Sequence, residues 1–465
     1  MKVMKFGGGC LKDAADLERA AALVKESPAV VVVSAMGGVT DSLVLILERA
    51  ATRKRFPASL YGDLVSRHHA CARTLLSTGA PPATIRAVDD LMAELKKLLR
   101  GIVCIGEVPP SIQARILGFG EQLSSVLFSA ALESRGLPAA ACNAHRCGIL
   151  ADRPGTDARI DLARTRPRLR RNLRPLISTG KIPVITGFFG RAPDGTTATF
   201  GRNASDYSAA AIACALDARK LVIWKGVDGI MTMDPRYGTD ARPVERLTWE
   251  EVGELTHFGA HILHPMTLEP LENSHTRVRI RNFRHPELPG TEIMAKESGS
   301  GERICGITCH PSATMLQLGI HPGTLNRALA RLEEILRVPA ARITSLVSAR
   351  DRITLVMPSA DARTARRALA AAIDPPIRLV HARDNRALVA VVGKALCQPR
   401  GLARLMDALA TAGITIDGIS PGGAALSLCL VIPDHQAGRC LQAIHNRFFP
   451  PTAPRPSEIT TGDQP

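Results

Sequence analysis

The chain has 465 residues, 45% of them hydrophobic and 22% charged, and a formal net charge of +16. That length exceeds what one ordinary core supports, so about two to four domains are expected, and the composition excludes a disordered chain. No apolar run is long enough to span a membrane and no signal-peptide pattern precedes the strand at Val3; the 11 scattered cysteines, odd in number and without a C-x-x-C pair, predict reduced thiols in a cytoplasmic protein rather than a zinc site or disulfide frame.

The positive charge raises the possibility of a nucleic-acid partner. Aromatic residues make up only 3%, however, and no nucleic-acid motif is present. The densest basic cluster, Arg164 to Arg174, holds six arginines around Pro167 and reads as a solvated face. A basic surface also attracts anionic substrates such as nucleotides and dicarboxylates.

Val3 to Phe6 reads as a short buried strand that ends in Gly7-Gly8-Gly9, with a helical pattern from Ala14 to Glu26. Strand, glycine turn and helix form a phosphate-cradling arrangement, and Lys5 sits just before the turn; without P-loop spacing, a turn with no ligand is the competing account. Val30 to Val33 is a β-branched run suited to a strand buried on both faces, followed by a second glycine turn, Ser34 to Asp41, and a helix. Residues 57 to 100 read as a helical insertion. Glu121 opens a further helix, either to complement its dipole or to receive a substrate ammonium group. Ala139 to Ala141 and Ile182 to Thr186 are strands, and Phe189 to Phe200 is a hairpin.

Gly201-Arg-Asn-Ala-Ser-Asp-Tyr-Ser-Ala209 runs into a small-residue helix. A glycine turn at a helix start suits an anion, Arg202 can clasp a carboxylate bidentately, and Asp206 can orient a lysine or a metal. The alternative is a helix capped by Ser205. Leu221 to Trp224 is a strand, Thr248 to His257 a capped helix, His261 to Pro265 the lead into another helix, and Val278 to Arg281 a last strand. This alternation predicts an α/β domain with a largely parallel central sheet over 1–294. A polar linker spans 295–303. Beyond it, two passes of one strand-helix-strand-strand-helix pattern predict a duplicated α+β unit over 304–383 and 384–450, before a Pro- and Thr-rich tail, 451–465, expected to be disordered.

Several stretches together, in order, resemble the aspartokinases of the amino-acid kinase superfamily. They are Lys5 to Gly8, Ser34 to Thr40, Gly120 to Ser124, Gly201 to Ala209, Val227 to Gly229 with Asp234 to Arg236, Phe258 to Ala260 with Leu263 to Pro265, and Pro289 to Thr291. The terminal repeats look like that family's paired βαββαβ ACT domains, and the resemblance covers about residues 1 to 450. It implies an amino-acid-kinase-like sandwich that uses ATP to convert L-aspartate to 4-phospho-L-aspartate, at the entry to lysine, threonine and methionine synthesis. A carboxylate nucleophile is ionised at neutral pH and needs no general base, so such an enzyme chiefly positions two anions and neutralises charge.

Carried over residue by residue, the resemblance implies that Arg202 grips the α-carboxylate and Glu121 the ammonium group. Ser34, Thr40 and Ser205 shape the aspartate site. Lys5 and the Gly7-Gly8 backbone meet the phosphates, and Asp206 organises Lys5 and the transferring group. Lys225, Gly226, Met231, Arg236 and His261 occupy nucleotide-contacting positions, and Mg2+ rides on the nucleotide. It also implies a homodimer or higher oligomer through the ACT pair and an amino-acid effector there, with neither nucleic acid nor membrane as partner.

The chain departs from the family pattern at Gly9-Cys10, where Thr-Ser is usual, at Lys225-Gly226, where Thr-Asp is usual, at Met231 in place of a tyrosine, and at His261 in place of a lysine. These positions are on the nucleotide side. Two other readings follow: an aspartate-binding regulatory subunit with an impaired nucleotide site, or a kinase of another small carboxylate, against which the Arg202 and Glu121 pair argues.

Overall fold

The computed structural model describes residues 1–24, 29–201, 204–259, 263, 265–272, 274–295, 303–337, 342–371, 377–422 and 426–450. Arg202, His261, most of the expected linker and the tail 451–465 lie outside the described residues. The chain divides into two compact units, Met1–Ile230 with Leu263–Ala295, and Met231–Ile262 with Lys296–Pro465.

The first unit is built on strands β1 (Lys2–Phe6), β2 (Ala29–Val33), β3 (Ala139–Cys142), β4 (Ile182–Thr186), β5 (Phe189–Arg191), β6 (Thr197–Thr199) and β7 (Lys220–Lys225). After the short strand β8 (Arg246–Thr248) of the other unit come β9 (Arg277–Asn282) and β10 (Thr291–Met294). The central sheet runs β3-β4-β2-β1-β7-β9-β10. Every pairing is parallel except β9 with β10. The register sets Phe6 level with Val33 and Trp224, and Val33 level with Thr186, so the turns after these strands leave one edge together. Strand β2 is buried at every position, as its valine run predicts for a strand covered on both faces. The helix Ser205–Ala215 is also buried throughout, and its alanines let it lie close to the sheet. The region 57–100 is helical as expected, in Ala58–Ser77 and Ala83–Ile105.

Three local readings change. Ser205 is the first residue inside its helix, whose N-cap is Ala204. The lead from position 261 enters two short 3-10 turns, Pro265–Thr267 and Glu269–Leu271, rather than a regular helix. Arg277–Asn282 is not the last strand: Gly290, at φ +68, reverses the chain so that β10 pairs back on β9. A Cβ at Gly290 would meet the Ile280 carbonyl oxygen at 2.0 Å, so the turn needs glycine.

The second unit contains β11 (Gly306–Ile320), β12 (Ser345–Ser348), β13 (Arg352–Pro358), β14 (Ile377–Val392), β15 (Gly418–Pro421) and β16 (Ser427–Pro433). They form a six-stranded antiparallel sheet, β12-β13-β11-β14-β16-β15. Its two larger cores do not follow each other along the chain. One joins Leu316 and Leu318 to Leu332, Leu355 and Ala365. The other joins Ile304 and Ile307 to Val389, Leu405, Leu430 and Leu441. Strands β11 and β14 are long enough to serve both, so the expected split into 304–383 and then 384–450 does not describe core membership. Met231–Ile262 belongs here too, because Met233 and Phe258 are buried in this unit's cores, which interrupts the expected span 1–294.

Candidate active site

The aligned strand ends of the first unit gather three glycine turns. Ser34 N–H donates to the Phe6 carbonyl at 3.1 Å, tying the exit of β2 to that of β1. The turns then touch: a Cβ at Gly8 would meet Ala35 O at 2.8 Å, and one at Gly37 would meet Gly8 O at 3.0 Å. From the helix Phe119–Glu133, Gly120 presses on the same turn, where an added Cβ would come within 2.7 Å of the Ala35 Cβ. The third turn, at Gly187, lies against Ser205, with its Cβ position 2.9 Å from the Ser205 Cβ.

Two lysines meet one carboxylate in this crevice. Lys5 Nζ lies 2.6 Å from Asp206 Oδ1, and Lys225 Nζ lies 2.8 Å from Asp206 Oδ2. Lys5 and Asp206 are nearly fully buried, and the Lys225 side chain is about one-fifth exposed at 22%. Lys5 stands on β1 and Lys225 at the end of the neighbouring β7, while Asp206 starts the helix packed over them. Burial alone would push the Asp206 carboxyl up, but the two ammonium groups reverse this and hold it at about 2. The site is thus an ionised carboxylate between two cations, one of which is partly open to solvent.

Glu121 shows the opposite behaviour. Burial raises its carboxyl from 4.5 to about 8, opposed only in part by hydrogen bonds from the backbone N–H groups of Ala35 and of Glu121 itself and by the charge of Lys5. Its Oε2 is buried without a hydrogen-bond partner among the described residues, as is the Ser124 hydroxyl one turn further along the same helix. Unpaired buried polar atoms are costly. Together they give a polar pocket wall that a cationic group would satisfy.

The other expected site residues divide. Ser34 and Thr40 are half-buried on the second glycine turn and the helix that follows it, and Ser205 is buried beside Asp206. Gly7 lies over Lys5, with its Cβ position 3.4 Å from Nζ, and Gly226 is exposed in the turn after β7. Met231 and Arg236 belong to the second unit; Met231 bridges to Pro243, and the Arg236 guanidinium is held by Asp234 at 2.6 Å. Arg202 and His261 lie outside the described residues.

Sequence reasoning passed over several contributors. Besides Ser124, Phe188 takes φ +75, and its N–H donates to Ser208 Oγ at 2.9 Å. A non-glycine residue held at positive φ beside Ser205 marks a constrained turn. Its signal was only the Gly187-Phe188 step at the end of β4. Cys10 was read as a departure; its buried thiol donates to the Trp224 carbonyl at 3.4 Å, and burial pushes it up to about 11. It therefore links the first turn to β7 and remains a neutral thiol.

A family model described as the amino acid kinase family matches residues 1–282, and one described as an ACT domain matches residues 389–448. Aspartokinase 1, chloroplastic, of Arabidopsis thaliana is 30% identical over 464 residues, covering 96% of this chain and 80% of that protein. Aspartokinase 3, chloroplastic, of the same plant is 30% identical over 478 residues, covering 99% and 84%. The fold is shared with E. coli aspartokinase III, solved in complex with aspartate and ADP, at a TM-score of 0.81 and 24% identity over 97% of this chain and 100% of that one. Among the described residues no helix is long and apolar enough to cross a membrane. With its mostly parallel sheet, its paired lysines on Asp206 and its C-terminal ACT fold, the chain belongs to the aspartokinase family and is an aspartate kinase.

Proposed function

We propose that the protein uses ATP to phosphorylate the side-chain carboxylate of L-aspartate, giving 4-phospho-L-aspartate and ADP at the entry to lysine, threonine and methionine synthesis. The observation that carries this reading is the Lys5–Asp206–Lys225 cluster beside the Glu121 carboxyl, whose Oε2 has no hydrogen-bond partner among the described residues. In the reaction a side-chain oxygen of aspartate bonds to the γ-phosphorus, the bond to the β,γ-bridging oxygen breaks, and its electron pair leaves with ADP. No proton is transferred, so the residues act by holding and neutralising charge.

In this reading Glu121 takes the substrate ammonium group and Arg202 the α-carboxylate, while Ser34, Thr40, Ser205 and Phe188 shape the space between them. Lys5, with the Gly7-Gly8 backbone, faces the transferring phosphoryl group, and Asp206 keeps that ammonium in place. Lys225 stands where relatives carry a threonine, and its ion pair with Asp206 supports its serving as the second cation for the phosphates. The resemblance implies nucleotide contacts for Gly226, Met231, Arg236 and His261 as well. Mg2+ would be carried in by the nucleotide and would help to neutralise the phosphates. The ACT sheet would bind an amino-acid effector and pair with a second copy of the chain.

Hydroxylamine trapping tests the proposal. Purified protein with aspartate and Mg-ATP should yield aspartyl hydroxamate. Aspartate binding without hydroxamate would instead favour a regulatory subunit, which the altered nucleotide-side residues, Cys10 in its thiol form among them, would explain.

A further inference from the structure

The arginine cluster at 164–174 separates into two stripes once it is wound into the helix Leu162–Ser178. Arg166 and Arg170 turn to Asp217, Arg166 at 3.2 Å and Arg170 in direct contact, and share its carboxylate. Arg164, Arg168 and Arg171 lie at i, i+4 and i+7 on another face, where like charges destabilise a helix unless something offsets them. That face lines a cavity of about 660 Å³, to which Arg146 and Arg191 contribute from the turn after β3 and from the end of β5. Among the described residues lining it none is acidic. Arg164 has Asp161 at 3.7 Å, whereas Arg146, Arg168, Arg171 and Arg191 make no ion pair within the described residues. The walls are held close by design of the backbone: Gly148 takes φ +89, and a Cβ there would meet the Arg168 Cβ at 2.7 Å. Asn172 Nδ2 donates to the Arg146 carbonyl at 2.9 Å and fixes the same turn.

We propose that this cavity is a binding site for a small condensed-phosphate ligand, one carrying two or more linked phosphate groups. Planar guanidinium forks suit phosphate oxygens bidentately, and several forks converging on one space match a multivalent anion better than a single carboxylate. The volume is that of a small-molecule site. Neither Phe, Tyr nor Trp lines the cavity, and the one ring there, His145, is held by the Gly190 carbonyl at 3.0 Å and lies edge-on to Phe189, a poor platform for a run of unpaired bases. In the sheet order β3 lies three steps from β1 and four from β7, roughly 14 and 19 Å at about 4.8 Å per step, which sets Arg146 away from Lys5 and Lys225.

The test titrates full-length protein with sodium tripolyphosphate in a calorimeter at fixed ionic strength, in a Lys5→Ala with Lys225→Ala background that removes the two ammonium groups of the transfer site. Tripolyphosphate should still bind at one site. Arg168→Ala with Arg171→Ala, and separately Arg146→Ala with Arg191→Ala, should each weaken binding by about tenfold or more, since tenfold corresponds to the loss of one charge-assisted contact. Arg166→Ala with Arg170→Ala, which removes equal charge from the other stripe, should change it by less than about threefold. Circular dichroism melts confirm that each variant folds. No binding in the Lys5→Ala with Lys225→Ala background would overturn the proposal. So would equal weakening by both stripes, which is the mark of general attraction. Tighter binding of a single-stranded RNA oligonucleotide, lost in the same variants, would overturn the assignment to a small ligand.

Discussion

At Lys5 and Asp206, a cation and an anion buried together can be tested as one unit. A fixed ammonium stabilises charge that grows only in the transition state, and removing such a group typically costs about 10²–10³ in rate. Lys5→Ala and Asp206→Asn should each lower kcat by about that much with a smaller change in the KM for aspartate, and the double variant should be little worse than either, because the two act through each other. Steady-state rates near normal with a lowered melting temperature would make the pair structural. Glu121 carries a second expectation through pH. Its folded value of about 8 lies above the ordinary 4.5, so its contribution to stability is fully present below 4.5 and is lost as pH rises through about 8. Glu121→Gln should flatten the melting-temperature profile across that window. Aspartate affinity should rise over the same window in the native protein, because the ammonium needs the ionised carboxylate, and Glu121→Gln should abolish the rise; calorimetric titrations at several pH values decide it. Lys5, Glu121 and Asp206 were legible because each sits at a strand or helix end in a recognisable pattern. The contact of Lys225 with Asp206 was not, since it depends on β1 and β7 being neighbours while far apart in sequence.

Among elements, the three glycines after β1 look equivalent in sequence and differ in space. A Cβ at Gly8 would press on the backbone oxygen of Ala35 at 2.8 Å, whereas one at Gly9 would meet nothing within 4 Å. Gly8→Ala should therefore displace the Ser34 turn, costing about 1–3 kcal/mol of stability and a larger part of the aspartate-dependent activity. Gly9→Ala should be neutral or slightly stabilising, by up to about 1 kcal/mol through a less flexible unfolded chain. Thermal melts and initial rates on the two variants settle it, and equal damage from both would refute the packing argument. Strands β1, β2, β4 and β7 could be read directly because apolar runs bounded by glycine turns are a local signal. The first half of β11 could not. His310–Ser312 interrupts its apolar pattern with a proline and with Ser312 at φ +54, and the pairing with β14 shifts register there. A local pattern marks where a strand can form, not that one strand crosses two cores.

For the whole molecule the question is what covers the exposed part of the outer face of the second unit's sheet, since Phe258 with Met315 and Val356 already closes another part of it. Along β11 and β13 the positions Leu316, Leu318 and Leu355 enter a core with the helices Leu325–Arg337 and Ser359–Ala371, so alternation turns Gln317, Gly319 and Thr354 to the other side. Val347 on β12 pairs with Thr354 and is 44% exposed; Val380 on β14 lies against Gly319 and is 56% exposed. Exposed apolar side chains on a sheet face invite a second sheet. We expect a dimer formed through this face. Truncation after Ala295 would strip Met233 and Phe258 of the cores that bury them, so point substitutions give the cleaner test. Burying a valine contributes about 1.5–3 kcal/mol, and a buried unpaired carboxylate costs more than that. Val347→Asp with Val380→Asp should therefore raise the dimer dissociation constant by at least about 100-fold. Sedimentation equilibrium should show a dimer for the native chain and a monomer for the variant, with a cooperative melt in both. A variant that stays dimeric at the same concentrations would place the interface on another face.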